Sequence, residues 1–580
     1  MLQILSETRC REDQRGSLRH KTCLAYFYSG IAVFSWSIAC EGICAVGSLG
    51  MPRSKGKTVK FLRTDVAIIG GGLGGCAAAL AAARAGNRVI LTEQTQWLGG
   101  QLTSEAVPPD EHPWIEQFGA SSSYRELRRG IRDYYRAHLP LTPHARRIKT
   151  LNPGNGFVSQ LCHDPRVALA VLGQMLAPYE LNGNLFVLRA CRPVQARAIR
   201  DEIEAVVVES LDSGVEYEIH GRYFIDATSF GDLLPISGAE YWIGAESQRD
   251  TDEPHAPDHP DSLDQQAITF CFAMEYLPGE DHIIEKPREY QFWRDHTPPN
   301  WPGRLLSWRV VKPSTLEPLE RSLFEPADGY SWWSFRRILD RSNFQDGFAP
   351  SDITLVDWPQ NDYRIGPVCG VDRGEQARNL ESARQLSLSL LYWLQVEAPR
   401  PDGGTGYPGL RLRADVVGGT PDGLALSPYV RSSRRIRAEF TVLEQHIASS
   451  LRPDGPELFS DSVGVGCYRI DLHPRTNGAG YLDLGAWPFQ IPLGSLIPER
   501  LENLLPGGRN VGVSCIASGA YRVHHVEWGV GEAAGSLAAF CLERKVTPRG
   551  VLHRNFLLLE FQSYLRKQGI QLEWPLLTPV

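Results

Sequence analysis

Gly70, Gly72 and Gly75 form a G-x-G-x-x-G triplet directly after an apolar run, Val66-Ala67-Ile68-Ile69, and directly before an alanine-rich segment. Each glycine in such a pattern has a mechanical use: the first allows a tight turn, the second lets backbone approach a pyrophosphate, and the third lets helix and strand pack closely. The helix that follows offers free N–H groups and the positive end of its dipole to phosphates. Glu93, eighteen positions past Gly75, closes a second apolar run, Val89-Ile90-Leu91. A carboxylate at that place accepts hydrogen bonds from a ribose. A glycine-rich turn can exist for packing alone, but strand, turn, helix, second strand and acid in register predict a dinucleotide site. Two other chemistries lack their residues. There is no CxxC pair for a redox dithiol, and no HExxH or Cys/His cluster for a metal.

The elements that must position these groups follow from periodicity. Residues 64–93 read as one βαβ unit whose helix covers residues 74–85. Helical spacing recurs at residues 125–138, 164–176, 375–395, 529–543 and 552–567, and residues 184–225 alternate as a strand meander does. Residues 245–365 are rich in Pro, Trp and Asp with little periodicity, which predicts a loop-heavy lobe. No internal repeat appears. Residues 240–500 hold no second G-x-G-x-x-G between a strand and a helix, so a substrate lobe is expected there rather than an NAD(P)H domain.

At 580 residues the chain exceeds what one hydrophobic core usually supports, so at least two lobes are expected. A hydrophobic fraction of 42% and a charged fraction of 22% mark an ordinary globular protein. The net charge of −7, with no basic stripe, argues against nucleic acid as a partner. Eight of the twelve cysteines scatter singly from Cys76 to Cys541, which suits buried reduced thiols better than a disulfide framework. In residues 1–50, Arg9, Arg11, Arg15, Arg19 and Lys21 precede an uncharged stretch at residues 22–40. We read this region as an extension upstream of Met51, the natural start of a cytoplasmic enzyme without stable membrane association. A targeting segment or membrane anchor is the alternative.

Farther along, the residues resemble a known family. The run Trp97-Leu98-Gly99-Gly100-Gln101-Leu102-Thr103 is similar to a segment that passes the pyrophosphate and flavin in FAD-dependent oxidoreductases of the glutathione-reductase-like fold, in the branch related to the fumarate reductase and succinate dehydrogenase flavoproteins. Phe224-Ile225-Asp226-Ala227-Thr228 looks like that family's second strand-turn motif, with Ser229 where the family has glycine, and Gly231-Asp232-Leu233 continues it. Gly531-Glu532-Ala533-Ala534-Gly535 looks like a third motif, at which a helix N-terminus points at the flavin. Val107-Pro108-Pro109-Asp110-Glu111-His112 and Trp358-Pro359-Gln360-Asn361-Asp362-Tyr363 are similar to a group of bacterial members, some labelled xanthan-lyase-like, a name that carries no chemistry.

The resemblance implies FAD as cofactor and an α/β fold: a Rossmann-like FAD-binding domain with an inserted α+β capping lobe. The expected organisation is a discontinuous FAD domain at residues 64–240 plus 500–545, a substrate lobe at residues 241–499 and a C-terminal helix in residues 546–580. Its implied cofactor contacts are Gly70, Gly72, Leu73, Gly74, Gly75, Glu93, Gly99, Gly100, Gln101, Val194, Ala227, Thr228, Asp232, Gly531, Ala533 and Ala534.

A flavin exchanges a hydride at N5, so the protein must place a C–H bond there and handle one proton. His524 and His525, just before the third motif, are the expected acid/base groups, with Arg522 beside them. A histidine bonded to a backbone carbonyl is the plain alternative. In Pro428-Tyr429-Val430-Arg431-Ser432-Ser433-Arg434-Arg435, which resembles a family segment whose arginines face the active site, Arg434 is the candidate to clamp a carboxylate. Surface arginines are the alternative there. His112 and His473 are weaker candidates in polar turns, and Trp332, Trp333 and Trp358 would suit ring stacking or core packing. The expected activity is hydride transfer between a small organic substrate and FAD. The rivals are an O2-using flavin oxidase or monooxygenase, a flavin-binding protein without redox turnover, and a flavin-independent polysaccharide lyase.

Overall fold

A computed structural model describes residues 58–575 and 578–580, so the reading of residues 1–50 as an extension lies outside the described residues. The expected βαβ unit is present: strand Val66–Ile69, helix Leu73–Arg84 and strand Val89–Thr92. These strands belong to a five-stranded parallel sheet in the order Leu504–Pro506, Tyr223–Asp226, Val66–Ile69, Val89–Thr92, Leu185–Leu188. All four residues of the central strand are buried, as a parallel sheet covered on both faces requires.

The pleat sends alternate side chains to different layers. Val66 and Ile68 join the core under helices Leu73–Arg84 and His524–Arg544, while Ala67 and Ile69 join Val206, Val208 and Ile219 on the opposite face. That opposite face is covered by the expected meander, strands Cys191–Ile199, Glu202–Ser210 and Glu216–His220, to which strand Val59–Arg63 adds in parallel. The result is helix, parallel sheet and antiparallel sheet stacked as three layers, the α/β architecture expected.

A second core gathers Trp293, Trp308, Trp332, Trp358 and Trp393 around the long helix Arg373–Val396. The antiparallel sheet Arg337–Leu339, Ile353–Val356, Phe272–Tyr276, Leu410–Leu412 stands beside it. Trp332, Trp333 and Trp358 are thus core residues. Val442, Ile447, Val463, Ile470, Phe489 and Leu496 fall in the stretch expected to cap, yet they pack into the core under the parallel sheet.

One expectation needs correction. Gly531-Glu532-Ala533-Ala534-Gly535 is not at a helix N-terminus, because the helix begins earlier, at His524. The motif's glycines serve helix contact. A Cβ on Gly531 would stand 2.0 Å from the Gly74 carbonyl oxygen, and one on Gly535 would stand 2.3 Å from that of Ala78. Ala533 and Ala534, on the same turn, are buried. Mid-helix Gly→Ala ordinarily gains about 1 kcal/mol of helix propensity. Here Gly535→Ala should instead lose about 1–3 kcal/mol, since the methyl group must push two backbones apart. A urea midpoint at or above the parent's would contradict that packing.

Candidate active site

The turn after the first strand opens a cleft of about 920 Å³ lined by Gly70, Gly72, Glu93, Gly100, Ala227, Thr228 and Asp232 from the expected set. Gly70 needs its glycine: φ is +102°, and a Cβ would meet the Ala227 carbonyl group and the Thr228 nitrogen at 2.4–2.5 Å. A Cβ on Gly100 would lie 2.9 Å from the Gly72 Cα, so a second turn closes against the first. These are cradles that a side chain would fill, which suits a phosphate approached by backbone.

Glu93 does two jobs. Its Oε2 accepts from the Gly71 N–H at 2.9 Å and its Oε1 from the Thr95 N–H at 2.8 Å, bracing the turn, while the carboxylate borders the cleft. Burial raises its pKa, opposed by those same hydrogen bonds. At the far wall Asp226 accepts from the Thr228 N–H at 3.0 Å and the Leu233 N–H at 3.1 Å, and burial pushes its pKa up to about 7. Ser229, which replaces the family's glycine, lines the cleft and donates to Glu105 Oε1 at 2.9 Å.

The other expected contacts stand behind this lining. Leu73 opens the helix and is buried; Gly74 donates its N–H to Glu527 Oε1 at 3.2 Å; a Cβ on Gly75 would lie 2.1 Å from the Gly70 oxygen. Gly99 donates to the Gly71 carbonyl at 2.8 Å. Gln101 donates to the Arg522 carbonyl at 3.2 Å and to Glu527. Val194 is half-buried beside Pro193, which does line the cleft. Sequence reasoning missed Ser104, Cys191, Pro193, Phe270, Leu380, Arg384 and Leu426-Ser427-Pro428 in the lining. It also missed the second glycine turn, Gly507-Gly508, which follows strand Leu504–Pro506 as Gly70 follows its own strand. That apolar-then-glycine pattern was the available signal.

Beside the turn, Arg509 is buried between two carboxylates, 2.8 Å from Glu105 Oε1 and 3.4 Å from Glu527 Oε2. Burial raises the Glu105 pKa and the Arg509 guanidinium opposes the rise. A second buried network begins at Arg522, which donates to the Tyr429 hydroxyl at 2.7 Å and pairs with Asp471 at 2.7 Å. His473 stands 3.7 Å from Asp471 and 2.6 Å from Asp362. Arg431 bridges Asp362 at 3.1 Å and Asp357 at 3.0 Å. Arg336 then reaches Asp357 at 3.3 Å and Asp110 at 3.7 Å. Arg431 and Arg435 are among the largest fully buried side chains, so residues 431–435 are not a surface run.

His524 is not the free acid/base group expected. His524 Nδ1 accepts from the Asp110 N–H at 3.1 Å and its Nε2 meets the Val107 carbonyl at 3.2 Å, so backbone uses both ring nitrogens. Burial holds its pKa well below the usual imidazole value. It clamps residues 107–110 to the helix start and has no nitrogen left for a substrate. His525 Nε2 accepts from the Cys467 N–H at 3.4 Å and its ring packs edge-on against His112, while its buried Nδ1 has no hydrogen-bond partner among the described residues. Burial lowers His112 to about 4. Arg434 donates to the Phe230 carbonyl at 2.8 Å and lies 3.3 Å from Asp232, so it supports the cleft wall from outside the lining.

The chain matches the family model described as FAD dependent oxidoreductase over residues 65–565, and it belongs to that family. It is an oxidoreductase with FAD as its cofactor. No curated protein matches it. Among solved structures it is similar to L-proline dehydrogenase from P. horikoshii, at 18% identity and TM-score 0.17, over 33% of this chain and 25% of that one. The E. coli quinol fumarate reductase FrdA is similar at 11% identity and TM-score 0.31, over 88% and 74%. A geranylgeranyl bacteriochlorophyll reductase-like protein from Thermoplasma acidophilum is similar at 9% and 0.30, over 88% and 85%. The chain spans only a quarter of the proline dehydrogenase, and at such scores the likenesses add nothing to the family match. Among the described residues no helix is long and apolar enough to cross a membrane.

Among the described residues of the cleft lining, Glu93 and Asp232 supply carboxyl groups and Arg384, reaching in from helix Arg373–Val396 and paired from behind with Asp422, is the one cation. A diphosphate needs countercharge beyond a helix end, so Arg384→Gln should weaken FAD binding by about tenfold or more, the loss of one charge-assisted contact. Riboflavin, which has no diphosphate, should bind both forms equally. Equal FAD dissociation constants by flavin fluorescence would overturn this role.

Proposed function

We propose that the enzyme moves a hydride between a small organic substrate and FAD, with the cofactor along the cleft and the substrate presented by the Arg522 network. Bound FAD supplies hydride exchange at N5. In this reading Gly70, Gly72, Gly100, Ala227 and Thr228 carry backbone to the diphosphate, Glu93 accepts from the ribose, and residues 241–499 cap the site through Phe270, Leu380 and Arg384.

The observation that carries the proposal is the Gln101 side chain. It joins Glu527 at the glycine turn to the Arg522 backbone, which ties the network to the cofactor turn. Tyr429 follows Pro428 of the lining and accepts from Arg522 Nη1 at 2.7 Å. Among the described residues this is the only hydrogen bond found at its hydroxyl, which leaves the Tyr429 proton free to be donated. Arg522 holds its charge through Asp471 and orients a carboxylate or carbonyl of the substrate. Tyr429 takes the acid role expected of His524.

Purified protein should show the two absorption bands of oxidised flavin, and one class in a panel of small metabolites should bleach the longer-wavelength band without oxygen. Tyr429→Phe should slow that bleaching about 100-fold, the typical contribution of a positioned acid, with flavin content unchanged. Peroxide release during turnover would make O2 the acceptor of the second half-reaction, and oxygen incorporation into the product would replace the reading with a monooxygenase. Flavin that no metabolite bleaches would sink the proposal.

A further inference from the structure

A second cleft of about 580 Å³ opens on the lobe built around helix Arg373–Val396, lined by Pro298, Pro299, Arg364, Arg475 and the turn at Gly478. None of its residues lines the cofactor cleft. Arg364 sets it apart. Arg431, Arg435, Arg509 and Arg522 each meet a carboxylate, and Arg321 meets the carbonyls of Ala327 and Tyr330. Arg364 is equally buried, at 8% exposure, yet its Nε and Nη2 have no hydrogen-bond partner, and among the described residues no carboxylate lies within ion-pair distance of it. What holds it is the face of Trp301, with the guanidinium 4.8 Å from the ring centre.

Other donors in this region are also unused. The indole N–H of Trp301 is buried without an acceptor, and so is the hydroxyl of Tyr481, which interacts electrostatically with Arg364. Arg475 adds a second guanidinium, already neutralised by Asp264 at 2.7 Å. Buried donors are nearly always satisfied, and an unpaired buried cation is the most expensive exception. A cluster of donors beside a cleft, around a guanidinium that feels Asp362 only from beyond ion-pair distance, calls for an acceptor that brings its own negative charge.

We propose that this cleft is a binding site for a small organic oxyanion, a carboxylate or phosphate group paired with Arg364 and an apolar body against Pro298 and Pro299. The Arg364 fork suits two oxygens side by side. Its lining shares no residue with the cofactor cleft or the Arg522 network, which it meets only through Asp362, acting on Arg364, and through His473, packed against Tyr481.

Calorimetry on FAD-loaded protein, with sodium phosphate and sodium benzoate as separate probes in low-salt Tris chloride, tests it. At least one probe should bind saturably at one site. Preference for phosphate assigns a tetrahedral head, and preference for benzoate assigns a carboxylate with an apolar body. Arg364→Gln should weaken binding about tenfold or more, with flavin absorbance and occupancy unchanged. Arg364→Lys keeps the buried charge but loses the fork, so it tests the site even if the glutamine variant fails to fold, and it too should bind more weakly. Neither probe saturating at tens of millimolar, or either variant binding as the parent does, would overturn the proposal.

Discussion

Backbone pressed against backbone around residues 70–75 is the constraint on which the rest of the structure depends. Gly75 meets the Gly70 carbonyl, Gly74 faces Gly507 and Gly531, and Gly535 meets Ala78. At each of these places even a methyl group would collide with main chain. Because the contacts are so short, helix Leu73–Arg84 crosses helix His524–Arg544 backbone to backbone, and its first turn closes directly on Gly70 at the end of strand Val66–Ile69. The turn is then held in a conformation whose N–H groups are available to acceptors. Glu527, which takes the Gly74 N–H, is one such acceptor, and in the proposed reading a cofactor diphosphate would be another.

Burying that turn has an electrostatic consequence. Glu93, Glu105, Asp226 and Glu527 all lie within the protein beside it, and desolvation raises the pKa of the first three. Charged groups at such depth persist only when paired or richly hydrogen-bonded. Arg509 is shared by Glu105 and Glu527, while Glu93 and Asp226 use backbone N–H groups as their partners. The network from Arg522 to Asp110 obeys the same rule with alternating signs. Two chains of buried charge thus meet at Gln101, one bracing the cofactor turn and the other reaching into the capping lobe.

Legibility in the sequence followed the range of the interactions. The βαβ unit was readable because all its determinants lie within thirty residues: a glycine triplet, two apolar runs and an acid. The long helices were readable from their period, and helix Arg373–Val396 differs from the expected residues 375–395 only at its ends. The third motif was found but misread. Glycines at a helix start and glycines in a helix crossing look alike in one dimension, and only the partner helix, more than four hundred residues away, distinguishes them. His524 illustrates the same limit. Chain continuity put it near the helix start, while its use by the backbone of Val107 and Asp110 is a long-range fact.

The capping lobe was least legible for a related reason. Its strands are mostly three to five residues long, too short to show a period, and its order comes from a tryptophan-rich core gathered from residues 293–393. The lobe reaches the cofactor cleft through only a few side chains, Phe270, Leu380 and Arg384 among them. A fold built this way leaves the cofactor half fixed by backbone geometry, which tolerates little change. The lobe around helix Arg373–Val396 is fixed by side chains on short, irregular elements, which tolerate more. The family match therefore determines the cofactor and leaves the substrate open, because the residues that would read it have partners that no motif specifies.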